Sequence, residues 1–103
     1  MYADGEGSPQ DYAERAKWLR KVADQGVADA QYHLGITYDR GDGVPQNYAE
    51  AYVWFSIAAA NGDADAKERL PQAKAQLTPE QLAEAQKRVT QLSEQINANK
   101  DKD

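Results

Sequence analysis

The sequence predicts an all-α fold, a solenoid of stacked helical repeats closed by a longer C-terminal helix. The chain says nearly the same thing twice, 36 residues apart, which is the first reason. The stretch Tyr2-Ala-Asp-Gly-Glu-Gly-Ser-Pro-Gln-Asp-Tyr-Ala-Glu aligns without a gap with Tyr38-Asp-Arg-Gly-Asp-Gly-Val-Pro-Gln-Asn-Tyr-Ala-Glu. The match continues through Trp18/Trp54, Ala23/Ala59, Gly26/Gly62 and Leu34/Leu70. Units of this length cannot bury their apolar faces alone and do so by stacking. The second reason is punctuation, since capping residues, helical apolar spacing and turn glycines recur at the same places in each copy.

Taken in order, Asp11 and Asn47 occupy equivalent positions, each followed three residues later by a glutamate, Glu14 and Glu50. That spacing predicts N-caps satisfied in both directions, with helices at about 11–25 and 47–61 ending near Gly26 and Gly62. Between them, Ala30, Leu34 and Tyr38 predict a helix over 28–40 that stops at Gly41-Asp42-Gly43. A third unit starts at Ala64, but Pro71 stands where the repeat has Gly35, so a break or kink is expected near Leu70. Thr78-Pro79-Glu80-Gln81 then reads as the start of a helix over 79–97. Its stripe of Leu82, Ala85, Val89, Leu92 and Ile96 faces one side. The expected organisation is therefore repeats over 1–77 (a partial unit 2–27, a full unit 28–63, a degenerate unit 64–77), a terminal helix over 78–98 and a disordered tail over 99–103. The first unit lacks its leading helix, which predicts a cut edge beside Trp18.

Composition narrows function. Among 103 residues the formal charge is −5, and no basic run interleaves with aromatics, which argues against nucleic acid and anionic lipid surfaces. There is no cysteine, so disulfides, thiolate catalysis and Cys-ligated zinc are excluded. No apolar stretch reaches membrane-spanning length, and the N-terminus lacks the basic-then-apolar layout of a signal peptide.

The unit from Ala30 to Ala66 resembles a Sel-one-like repeat, a relative of the tetratricopeptide repeat. The resemblance rests on Ala30, Leu34-Gly35, Tyr38, Gly41, Gly43-Val44, Trp54, Ala58-Ala59, Gly62 and Ala66, and it covers about residues 2–70. It implies a right-handed superhelical stack of helix pairs serving as an adaptor for other proteins. It also favours a bacterial periplasm or cell envelope over the cytoplasm. A cysteine-rich branch with suggested β-lactamase-like activity is not supported, because this chain has no cysteine.

In related repeats the first helix of each pair lines the concave surface, here 28–40. Ala30, Leu34, Gly35 and Tyr38 are expected in packing, leaving Asp29, Tyr32, His33, Ile36 and Arg40 on one outward face. Asp65, Glu68 and Arg69 extend that face into the next unit. These residues are the expected contact surface for a protein or peptide, and the competing reading is a plain solvated face. Trp18, Leu92 and Ile96 are the candidates for self-association, as a homodimer or against further repeats. Tyr12, Trp18, Tyr38, Tyr48 and Trp54 are expected to fill the interhelical space.

Other chemistries find little footing. His33 is the single histidine, too few for a metal site, and Asp39, Asp42 and Asn47 do not match a calcium loop. Gly5-Glu6-Gly7 and Gly41-Asp42-Gly43 place an acid where a phosphate cradle needs none. Arg40-Gly41-Asp42 spells the integrin tripeptide, yet turn geometry already requires its glycine. No base–nucleophile pair is visible, which leaves a hydrolase as the minor alternative and no cofactor expected.

Overall fold

A computed structural model describes residues 9–101. Residues 1–8, which include Gly5-Glu6-Gly7 of the partial first unit, and residues 102–103 of the expected tail lie outside them. Five helices follow in order: α1 (Pro9–Ala23), α2 (Ala28–Arg40), α3 (Tyr48–Ala60), α4 (Ala64–Ala75) and α5 (Pro79–Asp101). Each of the first four packs on its sequence neighbours, and α5 returns across α3.

The caps explain most boundaries. Asn47 is extended (φ −155°, ψ 105°) and its Oδ1 accepts from the Glu50 amide at 3.0 Å. The expected return bond from Glu50 is absent, because the Asn47 amide donates to the Tyr38 carbonyl and the Glu50 carboxylate is held by Arg88. Asp11 is not a cap: α1 starts two residues earlier at Pro9, whose fixed φ suits a first helical position, and Asp11 lies in the first turn. Thr78 and Gln81 do form the reciprocal pair, Thr78 N to Gln81 Oε1 at 2.9 Å and Gln81 N to Thr78 Oγ1 at 3.1 Å.

Pro71 overturns the expected break. It lies inside a continuous α4, with Leu70 half-buried before it and Ala73 buried after it. An interior proline costs a helix about 3 kcal/mol. Packing on both sides of Pro71, plus the Asp63 cap (Oδ1 to Ala66 N, 2.9 Å), offsets that cost. The last helix also exceeds expectation and runs to Asp101. The Asn99 amide donates to the Asp24 carbonyl at 3.3 Å, and the Lys100 stem lies on Gly26, so residues 99–101 are helix against the body rather than tail.

The core has two parts. Leu19 and Ala23 of α1, Ala30 and Leu34 of α2, Val53, Trp54 and Ile57 of α3, and Ala85, Leu92 and Ile96 of α5 form the larger. Ala51, Phe55, Ala58 and Ala59 of α3 meet Ala66 and Ala73 of α4 in the second, with Tyr32, Ile36 and Leu70 against it. Alanines let α2, α3 and α4 approach closely, and Gly35 takes this furthest: a Cβ there would stand 2.7 Å from the Phe55 ring. Gln31 is fully buried yet satisfied, donating to the Ala23 carbonyl at 3.0 Å and accepting from Asn61 at 2.9 Å. It ties the ends of α1 and α3 together through α2.

The aromatic filling is unequal. Trp54 is 0% exposed, whereas Trp18 is 60% exposed and Tyr48 is also exposed. The expectation that Trp18 and Tyr48 fill the core is therefore corrected: both face outward, with no further helix laid over them among the described residues.

Candidate groove between α2 and α4

The second and fourth helices occupy equivalent places in successive units and lie on the same side of α3. Between them run two shallow clefts. One, of about 250 Å³, is lined by Tyr32, Asp65, Glu68, Arg69 and Gln72. The other, of about 100 Å³, is lined by Asp39, Phe55, Arg69, Gln72, Ala73 and Gln76. Arg69 and Gln72 border both, so the clefts form one groove. Beneath it Tyr32 packs on the buried Phe55 at a centroid distance of 5.9 Å and a 43° tilt. Its walls are polar, and Asp39, Asp65 and Glu68 outnumber the single Arg69.

The five residues proposed from sequence divide. Tyr32 lines the groove. Ile36 is half-buried and packs on the second core, so much of its apolar surface is already used. His33 stands beside Tyr32, its ring edge-on to the tyrosine at 5.2 Å and its Nε2 3.6 Å from Asp29 Oδ1. The Asp29 side chain is 80% exposed and the His33 side chain 40%. Arg40 is exposed in the last turn of α2, where a cation complements the helix dipole. Asp65, Glu68 and Arg69 do continue the Tyr32 face, as the spacing anticipates. Asp39, Gln72 and Gln76 were missed, since polar surface residues on two helices carry no shared periodic signal.

On the opposite side, α5 straps the molecule. Arg88 grips Glu50 of α3 through Nε–Oε1 and through Nη2–Oε2 at 3.0 Å. The hydrogen bond to Glu50 raises the Arg88 pKa above its ordinary value, against the opposing effect of burial. The strap borders a cleft of about 420 Å³ with Ala49, Val53 and Ala85 at its base and Glu80, Glu84 and Lys87 at its rim. Leu92 and Ile96, expected to reach past the body toward a partner, are instead buried against Leu19, Ala23 and Trp54. That corrects their self-association role: their stripe is spent inside the fold. Trp18 alone of the three remains exposed. Above Trp54 the Arg20 guanidinium stacks at 5.3 Å, itself held by Asp24 at 3.0 Å.

No group of three His, Cys, Asp or Glu side chains among the described residues could hold a metal ion. The Arg40-Gly41-Asp42 loop has a backbone cause: Gly41 is left-handed (φ 76°) and closes α2 with its amide on the Thr37 carbonyl at 2.8 Å. No described helix is long and apolar enough to cross a membrane.

Comparison with curated proteins finds no match to the chain. Comparison with family models does: the model described as Sel1 repeat matches residues 1–27 and again 28–63, the two copies that carry Trp18 and Trp54. The boundaries fall at the Gly26 and Gly62 turns that end α1 and α3, so the matched unit is the packing unit. With its stacked helix pairs and two matched repeats, the chain belongs to the Sel1 repeat family.

Proposed function

We propose that this chain is a non-enzymatic scaffold that holds a peptide or protein segment along the α2/α4 groove. Sel1 repeat proteins are generally protein–protein interaction scaffolds, and typically non-enzymatic. The observation that carries the finer reading is the groove itself. Half-buried Tyr32 borders it, while Asp65, Glu68, Arg69 and Gln72 stand along its wall. A polar groove beside one half-buried tyrosine suits a segment that hydrogen-bonds along its wall and lays one side chain against the Tyr32 ring. The excess of carboxylates favours a segment carrying Lys or Arg, in keeping with the net charge of −5.

Selection from a random peptide library displayed on phage, with the immobilised chain as bait, tests this. Enriched peptides are expected to carry a basic residue near an aromatic or aliphatic one. Their affinity is expected to fall roughly tenfold or more on Glu68→Lys with Arg69→Glu. Peptides that bind this double variant and the parent equally would place recognition on another surface.

A further inference from the structure

We propose that Asn61 is a site of spontaneous deamidation, and that the reaction releases the buried Gln31 link between α1 and α3. This goes beyond the groove reading and is independent of it. Asn61 closes α3 and is followed by Gly62, the one Asn-Gly pair in the chain. The first copy has Gln25-Gly26 at the equivalent place, while Asn47, Asn97 and Asn99 precede Tyr48, Ala98 and Lys100.

The chemistry needs only water. The Gly62 amide nitrogen, losing its proton to solvent base, attacks Asn61 Cγ. The Cγ–Nδ2 bond breaks and Nδ2 leaves as ammonia. One water then opens the cyclic imide at either carbonyl, giving aspartate or isoaspartate. In balance, a side-chain amide and a water become a carboxylate and ammonia. Glycine speeds the first step because no side chain shields its nitrogen. The site is open as well: Asn61 and Gly62 are both exposed, and a Cβ on Gly62 would meet no heavy atom within 4 Å.

Hydrogen bonds set the gate. The Gly62 amide donates to the Ala59 carbonyl at 3.0 Å, and Asn61 Nδ2 donates to Gln31 Oε1 at 2.9 Å. With Asn61 at ψ 11°, the following peptide plane has to turn before the nitrogen meets Cγ. Both bonds lie at the end of α3, and helix ends open locally while the rest of a fold stays in place.

What the reaction breaks follows from counting donors and acceptors. Gln31 is fully buried, and its Nε2 donates to the Ala23 carbonyl at 3.0 Å. A carbonyl only accepts, so the amide nitrogen of Gln31 must face Ala23 and its oxygen must face Asn61. Once Asn61 is a carboxylate, an acceptor faces an acceptor. Flipping the Gln31 amide only moves the conflict to Ala23, and buried Gln31 has no solvent to turn to. The new charge also sits at the C-terminus of α3, close to Asp63, where the helix dipole disfavours an anion. The product therefore holds open the turn that had to open for it to form.

Peptide mapping by mass spectrometry, with the folded chain incubated at mildly alkaline pH, tests the site. The expected result is conversion of amide to acid at Asn61 ahead of Asn47, Asn97 and Asn99, with isoaspartate among the products. Asn61→Asp stands in for the product and should lower the folded-to-unfolded ratio roughly tenfold or more in a urea titration. Asn97→Asp adds the same charge at an exposed position of α5 and should leave the ratio unchanged. In a Gln31→Leu background, Asn61→Asp should lose most of its effect, because no buried acceptor is left to oppose it. A folded chain that keeps Asn61 intact, while the urea-unfolded chain converts there, overturns the site. An Asn61→Asp chain as stable as the parent, or one weakened equally with and without Gln31, overturns the link to Gln31.

Discussion

Trp18 and Trp54 hold the same position in two copies of one repeat, and the fold treats them oppositely. Trp54 is enclosed by Leu19, Leu34, Ile57 and the α5 stripe, with a guanidinium over its face. Trp18 stands on the surface. The residue is the same, and the helix around it is amphipathic in both places. What differs is the number of neighbours: α3 is flanked by α2 and α4 and roofed by α5, whereas α1 packs chiefly on α2. A repeat therefore encodes one side of a contact, and burial is a property of its place in the stack.

The sharpest way to break this comparison is to delete the buried member. Trp54→Ala removes a fully enclosed indole and leaves a cavity between three helices and the strap. The expected loss is about 3–5 kcal/mol, a large fraction of the stability of so small a domain. Urea unfolding followed by circular dichroism at 222 nm measures it. A Trp54→Ala chain that unfolds at the parent's midpoint would mean that the indole does not organise the core.

A second equivalent pair sharpens the same lesson with the backbone. Gly35 and Pro71 hold one repeat position, on α2 and α4. At Gly35 any Cβ meets the Phe55 ring at 2.7 Å, so Gly35→Ala should destabilise by about 1–3 kcal/mol through overpacking. Pro71 is exposed and interrupts the α4 hydrogen-bond ladder, so Pro71→Ala should stabilise, by roughly 1 kcal/mol once the freer unfolded chain is counted. Opposite signs at one repeat position, read from thermal midpoints, are the expected outcome. Equal signs would show that the two sites share a packing environment after all.

These pairs also show what was legible beforehand. The limits of α2, the Asn47 cap, the Thr78–Gln81 box and the glycine stops are local, and local chemistry writes them plainly into the sequence. The passage of α4 through Pro71 was not legible, because the force holding it lies in Ala66 and Ala73 against α3, and proline's own signal points the other way. Nor was the fate of Leu92 and Ile96. An apolar stripe at helical spacing looks the same whether it meets its own chain or another. The groove was half legible: Tyr32, the Asp65–Arg69 wall and the approach of His33 to Asp29, four residues apart, follow from helical spacing. Asp39, Gln72 and Gln76 join Tyr32 only through the packing of α2 and α4 on Phe55, a contact between units that no single unit announces.

The smallest expected effect belongs to the exposed tryptophan, and it tests the comparison from its other end. If burial is set by place in the stack, Trp18→Ala removes an indole that leaves few protein neighbours behind. Stability should then change by no more than about 0.5 kcal/mol, the usual range for surface substitutions. The measurement must be made at low micromolar concentration, where mass action disfavours any contact between copies. At that concentration the urea midpoint of Trp18→Ala should overlay the parent's, and the gap between the Trp18 and Trp54 variants should approach the full enclosure of one indole. Raising the concentration should separate parent from variant only if a second copy covers Trp18. A loss of several kcal/mol at low concentration would instead require Trp18 to be enclosed by its own chain, and the asymmetry between the two repeats would disappear.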